Sequence, residues 1–258
     1  MESPSTATRI VDSGLIGLRV ALLGLALLLI APLHIVFRAV TGRGGIARFF
    51  LRVAGWILGV RTTRIGAHPG HRTLILANHV SWLDILVMGG SMGCAFVSKA
   101  EVQNHWLIKW LADQRETLYI DRQARREVDA QIAAVRRRFD HYLPLCLFPE
   151  GTTNDGTALK PFRSPLLKAV TPAPEGARLV PVALDYEDAA DIAWFDGEPG
   201  TDNARKILTR RRPIDVTIHI LEPIALVEDR KAMANEARRR IAAALELDLG
   251  ASSPKGEA

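Results

Sequence analysis

Cysteine is scarce in this chain: Cys94 and Cys146 are the only two in 258 residues, and each sits in an apolar run with no second thiol or histidine at ligand spacing. A disulfide scaffold or a zinc site is therefore not expected, and a reducing compartment fits. The sequence also lacks a P-loop, a dinucleotide glycine fingerprint, a G-x-S-x-G elbow and any internal repeat, which argues against nucleotide-binding folds, serine hydrolases and solenoids. Acidic residues are nearly missing from the first 60 positions, where Glu2 and Asp12 stand against six arginines, a balance of +4 out of the total +5. A nucleic-acid binder would carry its basic stripe on the folded domain, so nucleic acid is not the expected partner and anionic lipid is. Later arginine runs, at 136–138, 210–212 and 238–240, read as solvated faces.

What is present begins with an apolar amino-terminal stretch. Residues 20–37, VALLGLALLLIAPLHIVF, carry no formal charge, the short end of what spans a bilayer. The segment either crosses the membrane or enters one leaflet. A second piece, IARFFLRVAGWILGV at 46–60, spaces Phe49, Phe50, Val53, Trp56 and Ile57 as an interfacial amphipathic helix. A cleaved secretory signal would carry its positive charge before the apolar run, whereas here the arginines follow it, so the segment is expected to be retained. Their position also puts the rest of the chain on the cytoplasmic side of the inner membrane.

Beyond residue 66, short apolar runs alternate with helical ones, the pattern of an α/β domain. Strands are expected over 73–77, 95–98, 117–120, 145–148, 178–184 and 216–221, and helices over 82–90, 105–112, 125–142, 165–170 and 228–247. The division is an anchoring region at 1–62, one catalytic-sized domain at 63–248, and a disordered tail at 249–258.

Chemistry gathers at the strand ends. His79 and Asp84 stand where a strand gives way to a helix. On one continuous helix, five residues would separate them by about 140°, so they meet only if His79 precedes the helix and Asp84 lies in its first turn. The carboxylate would then fix the imidazole tautomer and leave the other nitrogen to accept a proton from an alcohol. Ser81 and Asp84 also fit a helix capping box, which would make Asp84 a structural device. Arg122, after the strand at 117–120, can grip a phosphate or carboxylate or pair with a surface acid. Glu150 and Gly151 follow another strand, where glycine admits close backbone approach or simply makes a turn.

Taken in order, Asn78-His79-x-x-x-x-Asp84, Tyr119-Ile-Asp-Arg122, Phe148-Pro-Glu-Gly-Thr152 and Val180-Pro-Val-Ala-Leu184 resemble the four blocks of the glycerolipid acyltransferase family, over about residues 70–185. That family includes 1-acylglycerol-3-phosphate acyltransferases and lyso-ornithine-lipid acyltransferases. The resemblance implies a mixed sheet flanked by helices. It implies His79 as general base, Asp84 as its orienting partner, and Arg122, Glu150, Gly151 and Thr152 as acceptor-binding residues. It also implies an acyl-CoA or acyl-carrier-protein co-substrate, no bound cofactor, and a lysolipid acceptor, 1-acylglycerol-3-phosphate first and a lyso-ornithine lipid as the alternative. Many phosphatidic-acid-forming members carry an arginine where this chain has Thr153. Lys160 or Arg163 would have to replace it. An inactive membrane lipid-binding protein is the non-enzymatic alternative.

Overall fold

The computed structural model describes residues 6–121, 128–195, 197–247 and 249. The expected tail, apart from Leu249, lies outside them, as does Arg122. Among the described residues the core is a seven-stranded mixed sheet in the order β1-β7-β6-β2-β5-β3-β4, with β1 Val60–Ile65, β2 Thr73–Ala77, β3 Ala95–Lys99, β4 Leu118–Ile120, β5 Leu145–Leu147, β6 Arg178–Tyr186 and β7 Ile214–Ile220. The pairings from β6 through β2, β5 and β3 to β4 are parallel, while β7 meets β6 antiparallel and carries β1 parallel to itself.

Central strands are covered on both faces, which is why β2 (TLILA) is buried throughout and reads as an unbroken apolar run. Leu74 and Leu76 point to one core cluster, Ile75 and Ala77 to the other. Pro181 sits inside β6, although proline cannot donate to a ladder. Its carbonyl accepts from Leu221 N–H, just past the end of β7. In a strand the N–H of a residue points the same way as its C=O, so the missing donor falls where the β7 ladder has run out.

Several elements depart from the sequence expectation, among them β1 and the helix Gly200–Leu208. Strand β1 (VRTTRI) is exposed along nearly its whole length and has apolar residues only at its ends, so no alternation announces it. Because it pairs with β7 from Val60↔Ile214 onward, a boundary at 62/63 would cut an edge strand, and the sheet begins at residue 60. The short helix Gly200–Leu208, which had no sequence signal, is held by buried Asn203 and Ile207.

Helix α1, Thr6–Thr41, is twice as long as its uncharged run, because Asp12, Arg19 and Arg38 have partners on the domain. Arg19 donates to the carbonyls of Ile207 and Leu208, both at 3.0 Å, at the carboxyl end of Gly200–Leu208. Asp12 pairs with Arg211, Arg38 donates to Asp113 O, and His34 shares a hydrogen bond with Gln114. The helix is thus fastened to the domain along its length, while Leu28, Leu29, Leu33 and Val40 on its outer side are exposed. By length and composition, Val11–Thr41 can cross a membrane.

Helix α2, Gly45–Ile57, buries Ala47, Leu51, Ala54 and Gly55 against the domain and leaves Phe49 57% and Trp56 77% exposed. It packs on a π-helical turn, Met88–Met92, that extends α3, Leu83–Val87. A Cβ on Gly89 would stand 2.5 Å from Leu51 Cδ1, so glycine there is what allows the approach. Helices α4 (Trp106–Asp113) and α5 (Val128–Arg137) follow β3 and β4, and the last helix, Arg230–Ala244, covers the far face of the sheet.

Candidate active site

The carboxyl ends of the adjacent parallel strands β2, β5 and β6 converge, and in open α/β sheets ligands bind in the crevice outside such ends. His79 leaves the end of β2, and Asp84 lies in the first turn of α3, the bend that a separation of five residues demands. Their side chains meet, with His79 Nδ1 2.7 Å from Asp84 Oδ2. The same oxygen accepts the backbone N–H groups of Val80 (2.8 Å) and Ser81 (3.1 Å), so the capping role and the imidazole contact coexist on one carboxylate. Its other oxygen accepts the Tyr186 hydroxyl at 2.6 Å. Asp84 is 0% exposed, and these four donors offset what burying a carboxylate costs.

Tyr186 remains a donor because burial, and then the Asp84 charge, push its phenol well above the ordinary range. With a carboxylate facing Nδ1, the proton sits on that nitrogen and Nε2 keeps its lone pair. Nε2 has no hydrogen-bond partner among the described residues, and the His79 side chain is 19% exposed. The ring is further fixed by Phe148, stacked at a centroid distance of 4.2 Å and 17° from parallel.

Phe148 opens the turn 148–151, where Pro149 occupies the position that proline prefers and Gly151 closes it with φ +83°, its N–H donating to Phe148 O. Glu150 is 2% exposed and turned inward. Its Oε1 accepts His79 N–H at 2.8 Å; Oε2 accepts Asn154 Nδ2 at 2.5 Å and Lys160 N–H at 2.9 Å. Burial pushes the Glu150 carboxyl above its ordinary range, and these donors pull it part of the way back. The His79 carbonyl in turn accepts Asn154 N–H at 3.1 Å. Glu150 therefore locks the histidine loop to the loop after β5, with both of its oxygens already bonded inside the protein.

Gly151 and Thr152 lie beside this lock, Thr152 partly exposed. Thr153 is buried, and its carbonyl accepts Lys160 Nζ at 3.1 Å. His79, Asp84, Glu150, Gly151 and Thr152 are thus brought together, whereas Arg122 falls outside the described residues. Sequence reasoning missed Tyr186, whose partner is 102 positions away. It quoted Asn78 without a role; that amide bridges β2 to β6, donating to Leu184 O (3.0 Å) and accepting Leu184 N–H (2.7 Å). Trp82 Nε1 donates to Asn203, tying the start of α3 to the helix at 200–208.

Beside this imidazole, two candidate nucleophiles are shut off. Ser81 Oγ is sealed at 0% exposure against the start of α3. The Cys146 thiol is buried, and burial raises its pKa well above the ordinary range, so it stays protonated.

Comparison with known proteins gives a consistent picture. The family model described as Acyltransferase matches residues 60–185. The chain is 28% identical to the lyso-ornithine lipid O-acyltransferase of Brucella abortus over 89% of its own length and 92% of that protein's. It is 34% identical to the lyso-ornithine lipid O-acyltransferase of Pseudomonas aeruginosa, covering 73% and 72% of the two chains. With the 1-acyl-sn-glycerol-3-phosphate acyltransferase of Neisseria gonorrhoeae it shares 29% identity over 68% and 70%. In fold it is similar to the crystal structure of the 1-acyl-sn-glycerophosphate acyltransferase of Thermotoga maritima, with a TM-score of 0.60 at 19% identity, over 90% of this chain and 98% of that one.

Proposed function

The chain belongs to the acyltransferase family, and from that premise we propose that it esterifies the free hydroxyl of a lysolipid, with His79 as general base. The observation that carries the reading is the 2.7 Å contact between His79 Nδ1 and the buried Asp84, which leaves Nε2 as the proton acceptor of a partly open ring. Nε2 takes the hydroxyl proton as the oxygen attacks the acyl carbonyl of a thioester. A tetrahedral intermediate forms and collapses with cleavage of the C–S bond, and the imidazolium returns its proton to the leaving thiolate. Asp84, held by Val80, Ser81 and Tyr186, stabilises the imidazolium without moving. Phe148 and Glu150 are positioning residues, since they act on the ring and the backbone of His79.

The acyl donor is an acyl-CoA or acyl carrier protein, and the enzyme works at the cytoplasmic face of the inner membrane. Two observations favour a lyso-ornithine lipid as acceptor. Thr153 occupies, buried, the position where a phosphate-binding arginine would stand, and the relative matched over 92% of its length bears that substrate in its name. A second reading, 1-acylglycerol-3-phosphate, is supported by Lys160, which brings a cation back to the same loop. The test is to present both acceptors side by side to detergent-solubilised protein, with each candidate donor, and to identify products by mass spectrometry. Diacylated ornithine lipid from wild type and none from His79→Ala is the expected result; equal yields from the two proteins would sink the base assignment.

A further inference from the structure

We propose that the crevice between α2, β1 and the end of α3 is a binding site for the phosphate of an anionic membrane phospholipid, separate from the catalytic crevice. It is a cavity of about 330 Å³, lined by Arg52 and Trp56 of α2, Thr62 and Arg64 of β1, Val87 of α3, and Ser91. That size is on the scale of small-molecule sites, roughly 300–1,000 Å³. Arg48, Arg52 and Arg64 converge here on the π-helical turn, and their hydrogen bonds go to main-chain oxygens alone. Arg48 donates to Gly90 O (2.9 Å) and Ser91 O (2.6 Å), Arg52 to Gly90 O (2.8 Å) and Arg64 to Ser91 O (3.5 Å). Behind them, Arg115 is buried on the carbonyls of Gly44, Gly93 and Cys94. None of the four forms an ion pair among the described residues.

Gathering like charges is unfavourable, and the acid felt here, Glu116, acts on Arg115 at the back of the cluster. Desolvation lowers the Arg48 pKa, and the charges of Arg52, Arg115 and Arg64 lower it further. An anion in the crevice would relieve this, and guanidinium forks suit phosphate oxygens in particular. Ser91 Oγ donates to Thr62 Oγ1 at 3.2 Å, so two hydroxyls stand on the same wall as further polar partners.

The source of the phosphate follows from what surrounds the opening. Trp56 lines the cavity and is 77% exposed, on the helix that also turns Phe49 outward and packs beside the apolar α1. Tryptophan at the rim of an apolar surface is the residue of the membrane interface, the depth at which lipid phosphates lie. The site does not depend on the catalytic reading of His79.

The full chain in a mild detergent would be titrated with phosphatidylglycerol and, separately, phosphatidylcholine, and retained lipid counted by native mass spectrometry. One phosphatidylglycerol per chain is expected, with phosphatidylcholine at least tenfold weaker, because its ammonium faces the arginines. The double variant Arg52→Gln/Arg64→Gln should lose phosphatidylglycerol at least tenfold. Arg64→Gln alone, on an exposed edge strand with a single 3.5 Å hydrogen bond to lose, carries the test if the double variant fails to fold, and Arg64→Lys should restore part of the binding. Equal retention of the two lipids, or unchanged binding in Arg64→Gln, would overturn the proposal. So would displacement of the lipid, one for one, by coenzyme A or by millimolar inorganic phosphate, which would assign the crevice to a soluble phosphate.

Discussion

Two polar clusters stand at opposite ends of α3, and they are built on opposite terms. At its start, Asp84 and Glu150 are buried carboxylates that together accept seven hydrogen bonds from the histidine ring, backbone amides, Asn154 and Tyr186. At its end, arginines of α2 and β1 meet only carbonyls. A network in which donors and acceptors balance is closed, and the ring atom it leaves without a partner among the described residues, His79 Nε2, is where chemistry can occur. A cluster with cations and no anions is open as a whole, and what it lacks is a ligand. The difference teaches that unsatisfied valence, rather than charge density, separates a catalytic constellation from a docking one.

The contrast can be broken most directly at His79. His79→Ala should lower kcat by roughly 10² to 10⁴, measured as thiol release with a saturating lysolipid, while the thermal midpoint stays within a few degrees, since the ring is partly exposed. A variant retaining a tenth of the activity would end the base assignment.

A smaller effect belongs to Glu150→Gln. The amide must turn its NH₂ toward backbone or Asn154 donors that the carboxylate accepted, and one mismatched buried donor costs about 1–3 kcal/mol. Denaturant unfolding should report that loss, and kcat should fall about tenfold as the His79 loop loosens. If Glu150 instead held the acceptor, KM would rise while stability stayed put.

Tyr186→Phe removes one donor from Asp84 and leaves the ring packed, so a loss of about 1 kcal/mol and a few-fold drop in kcat are expected. An unchanged stability would mean that Asp84 does not need the phenol and that the network is less closed than its geometry. The smallest effect on activity is expected of Cys146→Ala, which should keep kcat within about twofold, because a sealed and protonated thiol takes no part in transfer. A thousandfold loss would point to an acyl-enzyme on that sulfur.

Much of this arrangement was legible locally. Apolar or alternating runs flanked by turn residues marked six strands, because a strand covered on both faces, such as β2 or β5, must be apolar, and one covered on a single face, such as β7, must alternate. His79 and Asp84 were legible because five residues and one bend bring them together. The edge strand β1 was not, since an exposed strand has no burial pattern to print, and its identity comes from pairing with β7 some 150 positions later. Glu150 was found, but only half legible: its place in the turn was local, while its inward orientation is set by His79, 71 positions earlier.

By itself, then, the sequence determined the elements whose causes are short-range: the apolar amino-terminal helix, the buried parallel strands, and a histidine at a strand end with an aspartate one turn into the next helix. The tertiary structure alone decided which groups are left wanting a partner. Tyr186 completes Asp84 across 102 residues, and the arginines of α2 and β1 converge on the turn after α3 without an ion pair among the described residues. Satisfaction of a buried polar group depends on what packs against it, and packing here joins segments too far apart along the chain for periodicity or spacing to record.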